Sequence, residues 1–172
     1  MAISGSLRPG SSNTSILHLL SSLSPSHVKL EIYEGLGDLP HFNPSMDLEP
    51  PTPVLELRRR ILEADGVLIC TPEYAHGVPG VLKNALDWTV SSSEFTDKPV
   101  ALITASTDGQ QAHLSLLDTL GVIGAKIPEG AALLISYIKA RMNDKGEVSD
   151  PATLQALRSV LDSLIAAIGK EQ

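Results

Sequence analysis

Short apolar segments alternate with helical patterns along the whole chain, and this alternation constrains the fold more than any other feature of the sequence. Each apolar segment predicts a strand, and each is followed by a stretch with the 3.6-residue period of an amphipathic helix. The predicted strands are 1–4, 28–33, 66–70, 99–104 and 131–138, and the predicted helices are 15–23, 54–63, 81–90, 112–120 and 151–168. Strict alternation of five strands and five helices is typical of an α/β fold with a doubly wound parallel sheet in three layers.

The length and hydrophobic content of the chain fit one domain. A chain of 172 residues with 42% hydrophobic residues can bury one well-packed core. We therefore expect 1–172 to form a single domain. The first predicted strand, Met1 to Ser4, is short for a central strand. It indicates either a compact variant or a start codon placed too late.

Charge and cysteine content exclude several classes of function. The chain has 13 Lys and Arg against 20 Asp and Glu, a net charge of −7, which argues against a nucleic-acid or anionic-membrane partner. Its single cysteine, Cys70, excludes a disulfide framework, and the spacing of His18, His27, His41 and His113 suggests no metal site. Neither a membrane-spanning apolar run nor a signal peptide is present in the sequence, so we expect a cytoplasmic protein.

A loop rich in glycine and hydroxyl groups, Gly5 to Thr14, follows the first strand. Its backbone N–H groups, its hydroxyls and the Arg8 guanidinium could cradle a phosphate at the start of a helix capped by Asn13 or Thr14. Serines replace the Lys-Ser/Thr pair of a P-loop, and the dinucleotide fingerprint is absent, so a terminal monophosphate fits better than a polyphosphate. The alternative is an ordinary turn before a helix.

Two further polar loops, 71–80 and 105–110, follow the third and fourth strands. Ligands of parallel α/β sheets bind at the carboxyl ends of the strands, so the three loops should converge. A fourth connection, Glu34 to Pro53, contains seven prolines and glycines that oppose regular structure. A loop of this length is usually functional, and we expect it to form part of the pocket for the substrate.

Two motifs carry a resemblance to a known family. The first is Gly5-Ser6-Leu7-Arg8 with Ser11 and Asn13, and the second is Thr71-Pro72-Glu73-Tyr74-x-x-Gly77-Val78-Pro79-Gly80-Val81-Leu82-Lys83-Asn84-Ala85-Leu86-Asp87-Trp88. With them the chain resembles the NADPH-dependent FMN reductases, which are flavodoxin-like proteins that include quinone, azo-dye and chromate reductases. The resemblance implies the strand order 2-1-3-4-5 and non-covalent binding of FMN. The third loop departs from the family pattern, because Gln110 and Gln111 stand where relatives have glycine and arginine.

The resemblance also implies which residues bind the cofactor. The FMN phosphate is assigned to Ser6, Arg8, Ser11 and Asn13, with Ser12 and Thr14 as helpers. The flavin ring is assigned to Pro72, Glu73, Tyr74, His76 and Gly77, and its pyrimidine edge to Ser106 and Gly109. No side chain is expected to act as a catalytic acid or nucleophile, because the chemistry takes place at flavin N5. No metal is expected.

The implied activity is a ping-pong transfer of hydride from NADPH or NADH, through FMN, to a small-molecule electron acceptor. Candidate acceptors are a quinone, an azo compound, free flavin or a metal ion. The resemblance further implies a homodimer or homotetramer, with the helix of Trp88 near the subunit contact. The alternative is a flavodoxin-type carrier of single electrons, although only 3% of the residues are aromatic. A third interpretation is a regulatory or scaffold protein that has lost flavin binding.

Overall fold

Five parallel strands form one sheet in the order β2-β1-β3-β4-β5, as predicted. The computed structural model describes residues 1–169. Its strands are β1 (Ala2–Ser4), β2 (Ile32–Tyr33), β3 (Val67–Thr71), β4 (Val100–Ala105) and β5 (Ala132–Ile135). Its α-helices are α1 (Ser12–Leu23), α2 (Thr52–Glu63), α3 (Gly80–Asp87), α4 (Gln110–Val122) and α5 (Pro151–Ile168). Because each crossover returns the chain to the same end of the sheet, all strand carboxyl ends lie at one edge.

Helices cover both faces of the sheet, so the predicted three layers are present. Successive side chains of a strand point to opposite faces, and the central strand β3 supplies both cores. Leu68 packs with Leu17 and Leu157 of α1 and α5, whereas Ile69 lies in a second cluster that includes Leu57, Leu82 and Leu116 of α2, α3 and α4. Within residues 1–169, no helix is long and apolar enough to cross a membrane.

The second and fifth strands are shorter than the periodicity predicted. Strand β1 has three residues, and it pairs with β2 only at Ala2–Ile32 and Ile3–Tyr33. Glu31 still bonds to β1, since its carbonyl accepts the Ala2 N–H at 2.7 Å, but β1 is too short to pair with 28–30. Strand β5 ends at Ile135 because Tyr137 adopts a left-handed backbone conformation with φ 55°.

The long connection between β2 and α2 contains two 3₁₀ turns, Gly35–Asp38 and Pro44–Met46, and α3 holds it in place. Asn84 Oδ1 accepts the Phe42 N–H at 2.7 Å, and its Nδ2 donates to the Pro40 carbonyl at 3.0 Å. The Trp88 indole N–H donates to the same carbonyl at 2.9 Å. Trp88 is fully buried in the core, so within the described chain its role is to pack and to fix this loop.

Arg58 of α2 secures the same connection from its other end. Its guanidinium donates to Asp47 Oδ1 at 2.6 Å and to the Trp88 carbonyl at 2.6 and 2.9 Å. Three consecutive arginines on a helix ordinarily form a solvated face. Arg58 departs from this, since its side chain is only 11% exposed, because the bend at Asp47 brings an acid over it.

Candidate functional site

The three polar loops converge at the carboxyl edge of the sheet, as predicted. The Ser6 hydroxyl lies 3.2 Å from the Tyr74 hydroxyl, which joins the loop after β1 to the loop after β3. The Glu73 N–H donates to Ser106 Oγ at 3.2 Å, which joins the loop after β3 to the loop after β4. These contacts bring together residues that are 33 and 68 positions apart in the chain.

Helix α1 presents unpaired donors to the first loop. Ser11 is its N-cap, with Oγ accepting the Thr14 N–H at 3.1 Å, so the prediction that Asn13 or Thr14 caps the helix was wrong. The N–H groups of Ser12 and Asn13 have no acceptor within residues 1–169, since the first turn of a helix has no preceding carbonyls in reach. Both residues are buried. Their N–H groups and the positive end of the helix dipole favour an anion at this point.

Arg8 precedes the N-cap Ser11 by three residues; its carbonyl accepts the Ser11 N–H at 3.2 Å, and its side chain is exposed. Its guanidinium makes no hydrogen bond or ion pair with any residue in the described part of the chain, while its backbone N–H donates to Ser6 Oγ at 3.3 Å. Gly10 follows with φ 63°, a left-handed conformation that lets the chain turn into α1. The loop thus holds a free, bidentate cation next to the helix N-terminus.

Other residues predicted to bind phosphate turn their side chains into the protein. Asn13 Nδ2 donates to the Ala105 carbonyl at 3.3 Å, and its Oδ1 accepts the Cys70 thiol at 3.3 Å. The Thr14 hydroxyl bonds to the hydroxyls of Ser4 and Ser11 at 3.1 and 2.9 Å. These side chains brace the loop, and only the backbone of Asn13 is free to meet a ligand. Cys70 is fully buried, and this burial raises the pKa of its thiol.

Gly5 is needed for packing rather than for a turn around phosphate. A Cβ at this position would lie 2.1 Å from Thr71 Oγ1 and 2.6 Å from Thr71 Cβ. The Gly5 N–H donates to the Cys70 carbonyl at 2.9 Å, so the loop begins in close contact with β3.

The second loop makes a tight turn from Tyr74 to Gly77. The two residues exchange backbone hydrogen bonds of 3.0 and 2.9 Å, and both central residues are left-handed, Ala75 with φ 49° and His76 with φ 57°. The N–H groups of Ala75 and His76 have no acceptor in the described chain. Tyr74 is 53% exposed, and before it Pro72 is buried. The turn presents donors and an aromatic ring of the kind that a flat polar heterocycle would contact.

The side chain of Glu73, a residue predicted to line the flavin ring, caps α4. Its Oε1 accepts the Gly109 N–H at 3.2 Å and its Oε2 accepts the Ala112 N–H at 2.8 Å. The side chain is 6% exposed. The atoms that could bind a metal ion in Glu73, His76 and Asp108 also lie within 4.8 Å of one another. Because both Glu73 oxygens already accept backbone N–H groups and the other two side chains are exposed, the cluster is better explained as a helix cap with polar neighbours.

Tyr137 is a residue of this edge that the sequence reasoning missed. It is the second residue after β5, it is 68% exposed, and its N–H donates to the Thr107 carbonyl at 3.0 Å. The sequence shows an aromatic residue near the end of the predicted fifth strand, 131–138. Because that strand was predicted to include position 137, Tyr137 was not recognised as a loop residue.

The donors at this edge fit a flavin mononucleotide. Free N–H groups and a free guanidinium at α1 suit a terminal phosphate. Free N–H groups in the turn after β3 suit the carbonyl oxygens and nitrogens of the ring, and Ser106 borders the same space. Several of the thirteen residues predicted for this site have side chains that already form hydrogen bonds within the protein, namely Ser6, Ser11, Asn13, Thr14, Glu73, Tyr74 and Ser106.

Comparison with known proteins agrees with the fold and the loops. The sequence matches the family described as NADPH-dependent FMN reductase over residues 1–140. It is 33% identical, over 96% of this chain and 84% of the relative, to a subunit of the NADH:(hydroxy)cinnamate reductase of Vibrio ruber. It is 32% identical, over 91% of this chain and 88% of the relative, to a quinone reductase of Escherichia coli.

A solved structure extends the likeness to three dimensions. The flavoenzyme NAD(P)H:(acceptor) oxidoreductase FerB from Paracoccus denitrificans superposes with a TM-score of 0.79 at 29% identity, covering 98% of this chain and 96% of that chain. The family match, the relatives and the shared fold confirm the resemblance seen in the two motifs. The chain belongs to the NADPH-dependent FMN reductase family.

Proposed function

We propose that this protein is an FMN-dependent NAD(P)H oxidoreductase that passes hydride from NADPH or NADH to a quinone. The observation that carries the proposal is the set of unpaired donors at the carboxyl edge of the sheet, in a chain of this family. When bound, FMN would supply the chemistry by accepting and releasing hydride at N5.

The first loop would hold the phosphate of the cofactor. The N–H groups of Ser12 and Asn13 and the guanidinium of Arg8 are the donors available, and the hydroxyls of Ser6, Ser11 and Ser12 border them. Asn13 would act through its backbone, while its side chain ties α1 to the ends of β3 and β4. This assignment keeps the predicted residues but changes what their side chains do.

The second and third loops would hold the ring. Ala75 and His76 offer N–H donors from a turn whose shape Tyr74 and Gly77 fix through two backbone hydrogen bonds. Glu73 would hold the turn against the N-terminus of α4, so that the two loops move as one unit. The residues of this edge would orient the ring and exclude water from one face of it.

A quinone is favoured among the candidate acceptors because it is named for several relatives, including the Escherichia coli enzyme. The connection between β2 and α2 lies beside the first loop, where a Cβ at Gly37 would be 3.4 Å from Leu7 Cδ1. It would therefore form one wall of the acceptor pocket. The relatives favour this activity over the single-electron carrier.

The test begins with the absorbance spectrum of the purified protein, before and after adding FMN and, separately, riboflavin. A flavin spectrum that persists with FMN and is much weaker with riboflavin would support the phosphate assignment, since riboflavin lacks the group that Arg8 and α1 would hold. Anaerobic NADPH and then NADH should bleach the flavin in one two-electron stage, and benzoquinone should restore it.

Two results would count against the proposal. Failure to take up FMN would mean that the loops are structural only, as in the scaffold interpretation. Reduction in two separate one-electron stages, with no turnover of benzoquinone, would support the electron carrier. Parallel assays with an azo dye, chromate and free FMN would rank the other acceptors.

We also propose that the protein assembles as a homodimer or homotetramer and that it is cytoplasmic. A homodimer or homotetramer would cover the apolar side chains that the described chain leaves exposed on α4, Leu114 at 55% and Val122 at 77%. Light scattering during gel filtration would measure the subunit number. Fractionation of cells would test the expected cytoplasmic location.

A further inference from the structure

Tyr137 combines a costly backbone conformation with an exposed aromatic ring. Its φ of 55° and ψ of 40° are left-handed, which is uncommon for a bulky residue because Cβ approaches the following carbonyl oxygen. Asparagine or glycine would adopt this conformation more readily. The ring is 68% exposed, and its hydroxyl makes no hydrogen bond within residues 1–169. The fold itself therefore gains little from a tyrosine here.

Hydrogen bonds to the third loop fix the position of this residue. The N–H groups of Tyr137 and Ile138 donate to the carbonyls of Thr107 and Ser106 at 3.0 and 3.1 Å. Ser136 Oγ donates to the Asp108 carbonyl at 2.8 Å. The left-handed turn is thus determined by the segment around it, and it carries the ring beside the loop whose Ser106 accepts the Glu73 N–H.

A strained residue that the surroundings hold in place, and whose side chain does not pack, indicates a role toward a ligand. We propose that the Tyr137 ring contacts the flat ring of the electron acceptor and so sets the preference for quinones. This inference rests on the proposed function. Phenol and quinone rings pair well because both offer flat faces and polar edges.

The test compares three variants of the FMN-loaded protein. Tyr137→Asn removes the ring and relieves the backbone, Tyr137→Phe keeps the ring, and Ser93→Asn is the matched control. Ser93 is exposed and left-handed with φ 65°, but it lies in the connection that enters the opposite edge of the sheet at β4. Both asparagine variants should unfold at a higher temperature than the parent, so loss of activity would not reflect loss of folding.

Steady-state kinetics at saturating NADH would use benzoquinone and, as an acceptor without a ring, ferricyanide. We expect Tyr137→Asn to lower kcat/KM for benzoquinone by about three- to tenfold, the effect of losing one contact between flat rings. Activity with ferricyanide and FMN content should not change. Tyr137→Phe and Ser93→Asn should match the parent with both acceptors.

Other outcomes would overturn the inference. Equal kinetics of Tyr137→Asn and the parent would show that the ring does not touch the acceptor. A loss with both acceptors, or a change in FMN content or subunit number, would give the ring a cofactor or assembly role instead. Failure of the parent itself to reduce benzoquinone would reject the proposed function, and with it this inference.

Discussion

Removing the Glu73 carboxylate should destabilise the protein through α4. In the structure it accepts the Gly109 N–H at 3.2 Å and the Ala112 N–H at 2.8 Å, and it is 6% exposed, so water does not replace it easily. Loss of a helix cap costs about 0.5–2 kcal/mol, and hydrogen bonds to a charged group contribute about 1.5–3 kcal/mol. We expect Glu73→Ala to lower the free energy of unfolding by about 2–3 kcal/mol.

Thermal unfolding followed by circular dichroism would measure this effect. For a chain of this length, 1 kcal/mol shifts the midpoint by about 2–4 °C, so Glu73→Ala should unfold about 4–12 °C below the parent. Glu73→Gln keeps one acceptor oxygen and should lose about half as much. Asp108→Ala is the matched control, because that exposed carboxylate lies just before α4 and makes no hydrogen bond in the described chain.

The reasoning would be refuted if Glu73→Ala unfolded at the temperature of the parent, or if Asp108→Ala lost as much stability. A Glu73→Gln variant that kept its stability but lost FMN would also contradict it. That result would restore the role of a direct flavin contact that the sequence predicted.

Three further predictions follow from the site and its surroundings. Arg8→Ala should weaken FMN binding by about 1.5–3 kcal/mol, as measured by titration of the apoprotein, and should leave the unfolding temperature unchanged. Full retention of FMN would reject the phosphate assignment. Gly5→Ala should lower the free energy of unfolding by about 1–3 kcal/mol, because the added Cβ overpacks against Thr71. Gly80→Ala is the control and should unfold at the temperature of the parent, since a Cβ there meets nothing within 4 Å. Equal unfolding temperatures for the two variants would contradict this reasoning. Burial lowers the pKa of His113, so the unfolded chain binds more protons than the folded chain near pH 6. The free energy of unfolding should therefore fall as the pH drops below about 6.5. In urea titrations His113→Gln should weaken this pH dependence, and an unchanged dependence would exclude His113 as its source.

Much of the fold could be predicted because it depends on local periodicity. The apolar run 66–70 predicted a strand, and the structure shows that β3 supplies both cores. Alternation of strands and helices then placed three polar loops at one edge of the sheet. The second motif identified the family, which the comparisons confirm. Boundaries were predicted less well, since β2 is limited by the short partner strand β1.

The roles of individual side chains required the tertiary structure. Spacing along the chain shows that Asn13 and Glu73 reach the carboxyl edge of the sheet, but it does not show what they meet there. Asn13 bonds a carbonyl 92 positions away, and Glu73 bonds an N–H 39 positions away. A loop sequence determines which donors and acceptors are brought to an edge, because that follows from strand direction and helix period. Which of them remain free for a ligand depends on partners from distant segments, and only packing of the whole chain decides that.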